Sequence, residues 1–332
     1  MSTDSANAFF NAWDEGQTQF TVHSSGSTGH PKTIHLERQW MEWSAKQTAL
    51  QLPLQKTDHL LCCLPTDKVG GLMMLCRSIV WGLPITVIAA NHNPLLFPVK
   101  ANIAAFTTYQ IYNILKDPNS LEHLKSFKVV LIGGSDIDPI LEKAIQNLPE
   151  TCSVFHTYGM SETYSHIALR RLNGPSASEV FTLFDGVGIT KDEQACAIIA
   201  APFTHTGIHS SDIVELIDDK HFKVLGRNDF VINSGGLKFH PEAIERLIIE
   251  LYAISSPICV SAVNDEALGQ KLVLVFAGKE ELPNMDWQSI ENRIPYSKPK
   301  QIVRIEEMPY NSAGKLDRIK VKAMINLSMA SG

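Results

Sequence analysis

The stretch His23-Ser24-Ser25-Gly26-Ser27-Thr28-Gly29-His30-Pro31-Lys32 decides how this chain is read. Small hydroxyl residues alternate with Gly26 and Gly29, and one cation, Lys32, closes the run. Glycine has no Cβ to keep an anion away from backbone N–H groups, and lysine adds a mobile positive charge, so the composition suits a polyphosphate. A plain Ser/Gly turn between strands is the commoner source of such composition. Gly26 to Thr33 fits Gly-x-x-x-x-Gly-Lys-Ser/Thr except at Pro31, which has no N–H and a fixed negative φ. A P-loop must also open a helix, whereas Thr33-Ile34-His35-Leu36 alternates polar and apolar like a strand. The segment 19–23 also reads as extended. The run is therefore expected to join two strands as a hairpin, which argues against a P-loop nucleotide triphosphatase.

The 332 residues suffice for one large domain or two with sizeable cores. Apolar residues make up 44% and charged ones 19%, an ordinary globular balance. A net charge of −6 supplies no broad basic field, which argues against nucleic acid as a main partner. No apolar run reaches the roughly 18 residues of a membrane span, and residues 1–11 lack the pattern of an export signal, so a cytoplasmic protein is expected. The six cysteines sit mostly in apolar segments without a Cys-x-x-Cys pair, and the twelve histidines are scattered. Buried free thiols and no zinc site are expected.

Along the chain, helices are expected within 1–19 and over 37–52, 70–81, 108–115 and 139–148. Strands are expected over 59–64, 84–90, 103–106, 128–132 and 152–156. This alternation predicts a mostly parallel sheet with flanking helices, whose ligands bind at the carboxyl ends of its strands. Gly133-Gly134-Ser135 and the turn Tyr158-Gly159 fall at such ends. After Gly174, shorter polar β segments at 195–200, 213–217 and 222–225 suggest a small antiparallel or barrel-like sheet. The polar Gly226-Arg227-Asn228-Asp229 marks a boundary between an α/β domain, 1–228, and an α+β domain, 229–332. In the latter a helix over 241–252, strands over 258–263, 271–276 and 301–305, and a helix over 287–294 are expected.

Further stretches carry chemistry. Tyr158-Gly159-Met160-Ser161-Glu162 combines an aromatic face for a base, a close-approach glycine, a hydroxyl and a carboxylate able to hold Mg²⁺. Asp212, after Ser211, can accept from ribose hydroxyls, or form an Asx-turn. Ser234-Gly235-Gly236-Leu237-Lys238 reads as a glycine hairpin or a ligand loop. The loop 309–318 presents Lys315 beside Gly314, where a solvated lysine is the ordinary alternative.

In this order the motifs resemble the acyl- and aryl-CoA synthetases of the adenylate-forming superfamily, over about Phe20 to Arg318. The carriers of the resemblance are the Ser/Gly loop ending in Pro31-Lys32, Tyr158–Glu162, Asp212 before Gly226-Arg227-x-Asp229, Ser234–Lys238 with Pro241-Glu242-x-Ile244-Glu245, and Gly314-Lys315. Leu64-Pro65, 69–72 and 74–77, together with Tyr158–Leu169 and 232–236, resemble the aryl pocket of members that act on o-succinylbenzoate in menaquinone biosynthesis. The chain departs from the family in three ways. It has little sequence before the phosphate loop, so the acyl pocket is expected to be more open, or completed by another subunit in a homo-oligomer. Lys68 stands where many members have His or an aromatic residue. The usual Thr-Gly-Asp is reduced to Ser211-Asp212.

The resemblance implies an AMP-forming acid–thiol ligase that uses ATP, Mg²⁺ and CoA. It places Ser24, Ser25, Gly26, Ser27, Thr28, Gly29 and Lys32 on the β- and γ-phosphates. Gly133, Gly134, Ser135, His156, Thr157 and Tyr158 would sandwich adenine, with Gly159 and Met160 beside them. Ser161 would reach the α-phosphate, Glu162 the Mg²⁺, and Asp212 and Arg227 the ribose. Lys315 would bridge the attacking carboxylate and the α-phosphate. Asp229 would be the hinge about which the second domain turns, bringing Ser234, Gly235, Gly236 and Lys238 to the pantetheine arm. For the acid's second carboxylate the candidate cations are Lys68, Arg77 and His166, with Ser165 beside them; Arg77 is equally readable as a helix-surface salt-bridge residue. Acyl transfer to a carrier protein and a non-catalytic ATP-binding relative are the rival functions.

Overall fold

The computed structural model describes residues 2–24, 32–252, 254, 256–278, 281–310 and 316–330. Ser25, Gly26, Ser27, Thr28, Gly29 and Lys315 lie outside the described residues. Helix α1 (Ser2–Asp14) precedes the antiparallel hairpin β1 (Gln19–Ser24) and β2 (Lys32–Glu37), whose register sets Ser24 opposite Lys32. The hairpin expected from the alternation at 33–36 is therefore present. Phe9 and Trp13 of α1 pack on Phe20 of β1 with ring centroids 4.9 and 5.6 Å away.

Helix α2 (Arg38–Leu50), β3 (Leu60–Cys62), α3 (Val69–Trp81), β4 (Ile85–Val87) and β5 (Ile103–Thr107) follow. Next come α4 (Thr108–Lys116), α5 (Pro118–Lys125), β6 (Val129–Gly133), α6 (Pro139–Gln146) and β7 (Ser153–Met160). Strands β4-β3-β5-β6-β7 lie side by side and parallel. Both faces are covered, and the pleat sends alternate residues to different cores. Leu60, Cys62, Val129 and Leu131 join the core of α1, the hairpin, α2 and α3. Leu61, Cys63, Val130 and Ile132 join the core of α4, α5 and α6. Asp117 and Asp138 start α5 and α6, each accepting a backbone N–H with proline in the first turn.

Beyond β7 the sheet turns antiparallel through β8 (Ser165–Arg171), β9 (Phe181–Leu183), β10 (Gly188–Lys191), β11 (Cys196–Ala200), β12 (Ile208–Leu216) and β13 (His221–Arg227). The order β10-β11-β12-β13-β9-β8-β7 continues the parallel strands into one eleven-stranded sheet. The fold is α/β with a large mixed sheet and flanking helices. The small β section expected after Gly174 is thus the antiparallel wing of the main sheet, neither separate nor a closed barrel.

Two local expectations are corrected. Tyr158 and Gly159 do not form a turn: β7 runs through them to Met160, with a bulge between them against β8. Asp212 does not precede a strand but sits within β12. In each case cross-strand pairing carries the strand through a residue of low strand propensity, Gly159 in β7 and Asp212 in β12.

The third sheet comprises β14 (Ile232–Ser234), β15 (Leu237–Phe239), β16 (Ile258–Asp265), β17 (Gly269–Ala277) and β18 (Gln301–Ile305). Helices α7 (Pro241–Tyr252) and α8 (Trp287–Glu291) contribute to one of its cores and α9 (Arg318–Ala330) to the other. All six cysteines are free and buried. Among the described residues, no group of three or more His, Cys, Asp or Glu is placed to hold a metal, and no helix is long and apolar enough to cross a membrane.

Candidate active site

The hairpin and the start of α3 meet beside His23. Lys68 is the N-cap of α3, and its Nζ donates to the carbonyl oxygen of His23 at 3.0 Å. Arg77 lies nine positions further along the chain on α3, roughly 13 Å of rise. Lys68 therefore belongs to the hairpin rather than to the pocket of Arg77.

The sheet brings together three of the nucleotide candidates, Tyr158, Asp212 and Arg227. Register places Asp212 of β12 opposite Arg227 of β13. Tyr158 arrives from β7, its ring packed against Phe181 and Phe222 with centroids 5.7 and 5.0 Å away. Its hydroxyl donates to Asp212 Oδ2 at 3.1 Å, where Ser210 Oγ also donates at 2.8 Å. Arg227 donates to Asp212 Oδ1 at 3.1 Å and to Asp229 Oδ2 at 2.6 Å. Burial and the neighbouring Asp212 push the Tyr158 phenol up, so it stays a neutral donor. Burial draws the Arg227 guanidinium down, but Asp229 and Asp212 outweigh this and raise it. Ser210 was not singled out in the sequence; its role depends on where its strand's neighbours fall.

His156 is buried, donates from Nε2 to the Ser135 carbonyl oxygen at 3.2 Å and accepts from Arg170 Nε at Nδ1 at 3.2 Å. Burial first and the Arg170 charge second hold it down at about 4, so it is a neutral, fixed ring. Arg170 in turn holds Glu142 with Nη1 at 2.6 Å. Thr157 points to the other face, where its hydroxyl donates to the Ile132 carbonyl oxygen at 3.1 Å. The pleat thus separates Thr157 from His156 and Tyr158, and these three side chains do not form one wall. Gly133 ends β6 and Gly134 follows it, while Ser135 Oγ donates to Thr108 Oγ1 at 2.8 Å. A Cβ at Gly159 would lie 2.1 Å from the Ser165 carbonyl oxygen, so the close approach of β8 alone requires glycine there.

Ser161, Glu162 and Thr163 form a short 3₁₀ turn after Met160. Glu162 is exposed.

The acid-pocket candidates meet where α3 faces the start of β8. Arg77 is 2% exposed, so the helix-surface reading is overturned. Its Nη2 donates to Ser165 Oγ at 3.1 Å and to His166 Nδ1 at 3.2 Å, and Nη1 makes a weak contact with Met74 Sδ at 3.6 Å. Among the described residues its Nε has no hydrogen-bond partner and no carboxylate pairs with its charge. Burial lowers the guanidinium to about 10, so it remains charged at neutral pH. His166 is not a cation: burial first and Arg77 second drive its imidazole well below the ordinary value.

In the third sheet, Ser234 pairs with Leu237 across Gly235 (φ 59°) and Gly236 (φ 82°), a two-residue turn that demands positive φ. Lys238 on β15 is exposed. Asp229 lies in a 3₁₀ turn, Asn228–Phe230, between β13 and β14. The base of the loop that carries Lys315 is closed by a bridge between Tyr310 and Leu316. Tyr310 lies 6.1 Å, ring to ring, from Tyr109 of α4. Arg246 of α7 reaches Asp136 at 3.5 Å, between β6 and α6.

The mixed sheet, with an acid-paired arginine and an aromatic in its antiparallel wing and a strand-joining Ser/Gly loop at its side, has the adenylate-forming fold. The chain belongs to the family described as AMP-binding enzyme, whose model matches residues 6–198. It is similar to the 2-succinylbenzoate–CoA ligase of Oceanobacillus iheyensis, 26% identical over 90% of this chain and 68% of the relative. The ligase of that name from Listeria monocytogenes is 28% identical over 93% and 71%. Among solved structures, an acyl-CoA synthetase (AMP-forming)/AMP-acid ligase II-like protein from Dyadobacter fermentans is 31% identical. It covers 95% of this chain and 92% of its own, with a TM-score of 0.64. The o-succinylbenzoate CoA synthetase of Bacillus subtilis, in complex with the acyl-adenylate intermediate, shares the fold at 20% identity and a TM-score of 0.69, over 91% of this chain and 68% of its own.

Proposed function

We propose that this chain is an AMP-forming acid–thiol ligase that converts o-succinylbenzoate, ATP and CoA to the acyl-CoA, AMP and diphosphate, a cytoplasmic step of menaquinone biosynthesis. The observation that carries the choice of acid is Arg77, a buried cation without a carboxylate partner among the described residues. A buried charge is costly until it is paired. An acid with a second carboxylate supplies the missing partner, and a simple benzoate or fatty acid does not.

In the first half-reaction an oxygen of the acid attacks the α-phosphorus as the bond to the β-phosphate breaks, giving acyl-adenylate and diphosphate. In the second, the CoA sulfur attacks the acyl carbon and AMP leaves. Two anions must meet in the first step, so positioning and charge neutralisation carry the catalysis. On this reading the hairpin loop and Lys32 hold the phosphate tail, Asp212 and Arg227 the ribose, and Ser161 the α-phosphate. Lys315 places its charge between the reacting oxygens. Glu162, with its exposed carboxylate, suits a hydrated Mg²⁺, which when bound neutralises phosphate charge.

Residues 1–228 and 229–332 are proposed as two domains hinged at Asp229. Turning about that point withdraws Lys315 and brings 234–238 to the pantetheine arm. Supporting this is the placement of Asp229 in a short turn, held by an ion pair to Arg227. Diphosphate release measured with CoA as sole acceptor, comparing o-succinylbenzoate with benzoate and short fatty acids, tests the function. Faster turnover of a monocarboxylate would overturn the choice of acid, and release with none would overturn the activity.

A further inference from the structure

Helix α2 packs against α3, and its Ser44 and Thr48, one turn apart on one face, are fully buried. Ser44 Oγ donates to the Tyr164 carbonyl oxygen at 3.0 Å. Tyr164 (φ 56°) and Ser165 (φ 94°) are consecutive non-glycine residues in the left-handed region, a conformation that persists only where its surroundings hold it. Thr48 Oγ1 donates to the Ser44 carbonyl oxygen at 2.9 Å and lies 2.9 Å from His166 Nε2.

These contacts fix the protons. Thr48 has one hydroxyl proton, already given to Ser44, so its oxygen accepts from His166 Nε2–H. At the other side of the ring Nδ1 faces Arg77 Nη2 at 3.2 Å, and a guanidinium only donates, so Nδ1 holds the lone pair. Both ends of the imidazole demand the same tautomer. If the Thr48 hydroxyl is removed, Nε2–H is left buried without an acceptor. Moving the proton to Nδ1 relieves that, but sets N–H against N–H at Arg77.

We infer that Thr48 is a positioning residue for acid recognition: it holds His166 as the Nε2–H tautomer, and His166 in turn holds the Arg77 guanidinium in the orientation that leaves its Nε–H unspent. The inference rests on the reading of Arg77 as the partner of the acid's second carboxylate. Arg77 touches the acid; Thr48 acts through two intervening groups.

The test combines ¹⁵N NMR of the histidine rings with steady-state kinetics on Thr48→Val, which keeps the side-chain shape, and Thr48→Ser, which keeps the hydroxyl. In the wild type His166 should carry its proton on Nε2. Thr48→Val should shift the proton toward Nδ1 and raise KM for o-succinylbenzoate about 5- to 100-fold, the range for a buried group left unpaired. Its kcat, and KM for a monocarboxylic acid that is turned over, should stay within about 3-fold. Thr48→Ser should restore both the tautomer and KM. A wild-type ring protonated on Nδ1 would overturn the inference, and so would a Thr48→Val enzyme with unchanged tautomer and KM. Equal losses on both acids without rescue by serine would show a merely structural role. Should Thr48→Val not fold, the wild-type tautomer and the Thr48→Ser kinetics decide. If the wild type shows no preference for the dicarboxylic acid, the reading of Arg77 falls, while the tautomer still reports whether Thr48 sets the ring.

Discussion

Replacing Arg77 by methionine separates a cation kept for a ligand from one kept for the fold. Burial takes the guanidinium from its ordinary value down to about 10. A base whose pKa is depressed on folding costs stability at every pH below the folded value, here roughly 3 kcal/mol at pH 7. Methionine removes that cost and fills the same space with apolar atoms. The two acceptors it abandons can satisfy each other, since Ser165 Oγ lies 3.2 Å from His166 Nδ1. The variant should therefore be as stable as the wild type or more so, by about 0–3 kcal/mol, or up to about 10 °C in melting temperature. Activity should move the other way. Removing one partner of a buried charge pair costs about 2–5 kcal/mol, so kcat/KM for o-succinylbenzoate should fall about 30- to 5,000-fold. Turnover of a monocarboxylic acid should change by no more than a few-fold. Thermal melts, with and without the acid, and diphosphate release on both acids measure all of this. The acid should raise the melting temperature of the wild type and not that of the variant. A variant that melts well below the wild type and loses both acids equally would refute the reasoning and make Arg77 a structural cation.

Lys315→Ala should abolish adenylate formation yet leave thioester formation from supplied acyl-adenylate within a few-fold, measured by separate half-reaction assays; equal loss of both would remove the proposed role. Asp229→Pro, which restricts backbone rotation, should slow CoA transfer more than adenylation, and unchanged transfer in rapid-quench measurements would count against a hinge there. His156 and His166 are both held below the ordinary 6.5. Their contribution to stability is therefore full above that value and is lost as pH falls below it. The melting temperature should drop between pH 6.5 and 4, and His156→Gln should flatten that slope. Gly159→Ala must displace β8, because its Cβ would meet the Ser165 carbonyl oxygen at 2.1 Å. A loss of more than about 2 kcal/mol in denaturant melts is expected, and a neutral result would show that the bulge relaxes freely.

The parallel half of the sheet was legible because strands such as β3 and β6 are short apolar runs buried on both faces, and helices with clear stops such as Gly82 (φ 64°) lie between most of the strands. In the antiparallel wing the segments of β11, β12 and β13 were legible, but β8, β9 and β10 and the joining of the wing to the parallel strands were not. Ser165–Arg171 carries two arginines, and Arg170 is buried only because Glu142 and His156 lie beside it. Pairing of His221 and Phe222 with Thr182 and Phe181 joins segments far apart in the chain, which local propensity does not see. Two signals were present and went unread. Val321 and Ile325, one turn apart and buried, mark α9. The stretch Val69–Trp81 is apolar nearly all round, which places a helix in a core and its arginine there with it. Asp212 and Arg227 were identifiable as residues, but the donors Tyr158 and Ser210 that share Asp212 follow from register, a tertiary property.

The two arginines of the site are built on opposite principles, and the difference bears on selectivity. Arg227 lies between Asp212 and Asp229 and is 39% exposed, so its charge is balanced before any ligand arrives. On the proposed function, a nucleotide entering there exchanges one set of polar contacts for another at little net electrostatic cost. Arg77 is enclosed, rests on neutral acceptors and has a spare N–H. An acid that brings a carboxylate repays a cost the fold already bears. An acid of similar shape without one seals the cation in with nothing to pair it. A pocket lined only by apolar groups separates ligands that differ by one group about 10- to 200-fold, whereas one that leaves a buried polar group unpaired reaches about 10⁴ or more. On the proposed function, discrimination between dicarboxylic and monocarboxylic acids therefore comes less from added attraction than from what the wrong acid fails to neutralise. It should weaken as pH approaches 10 and Arg77 loses its charge.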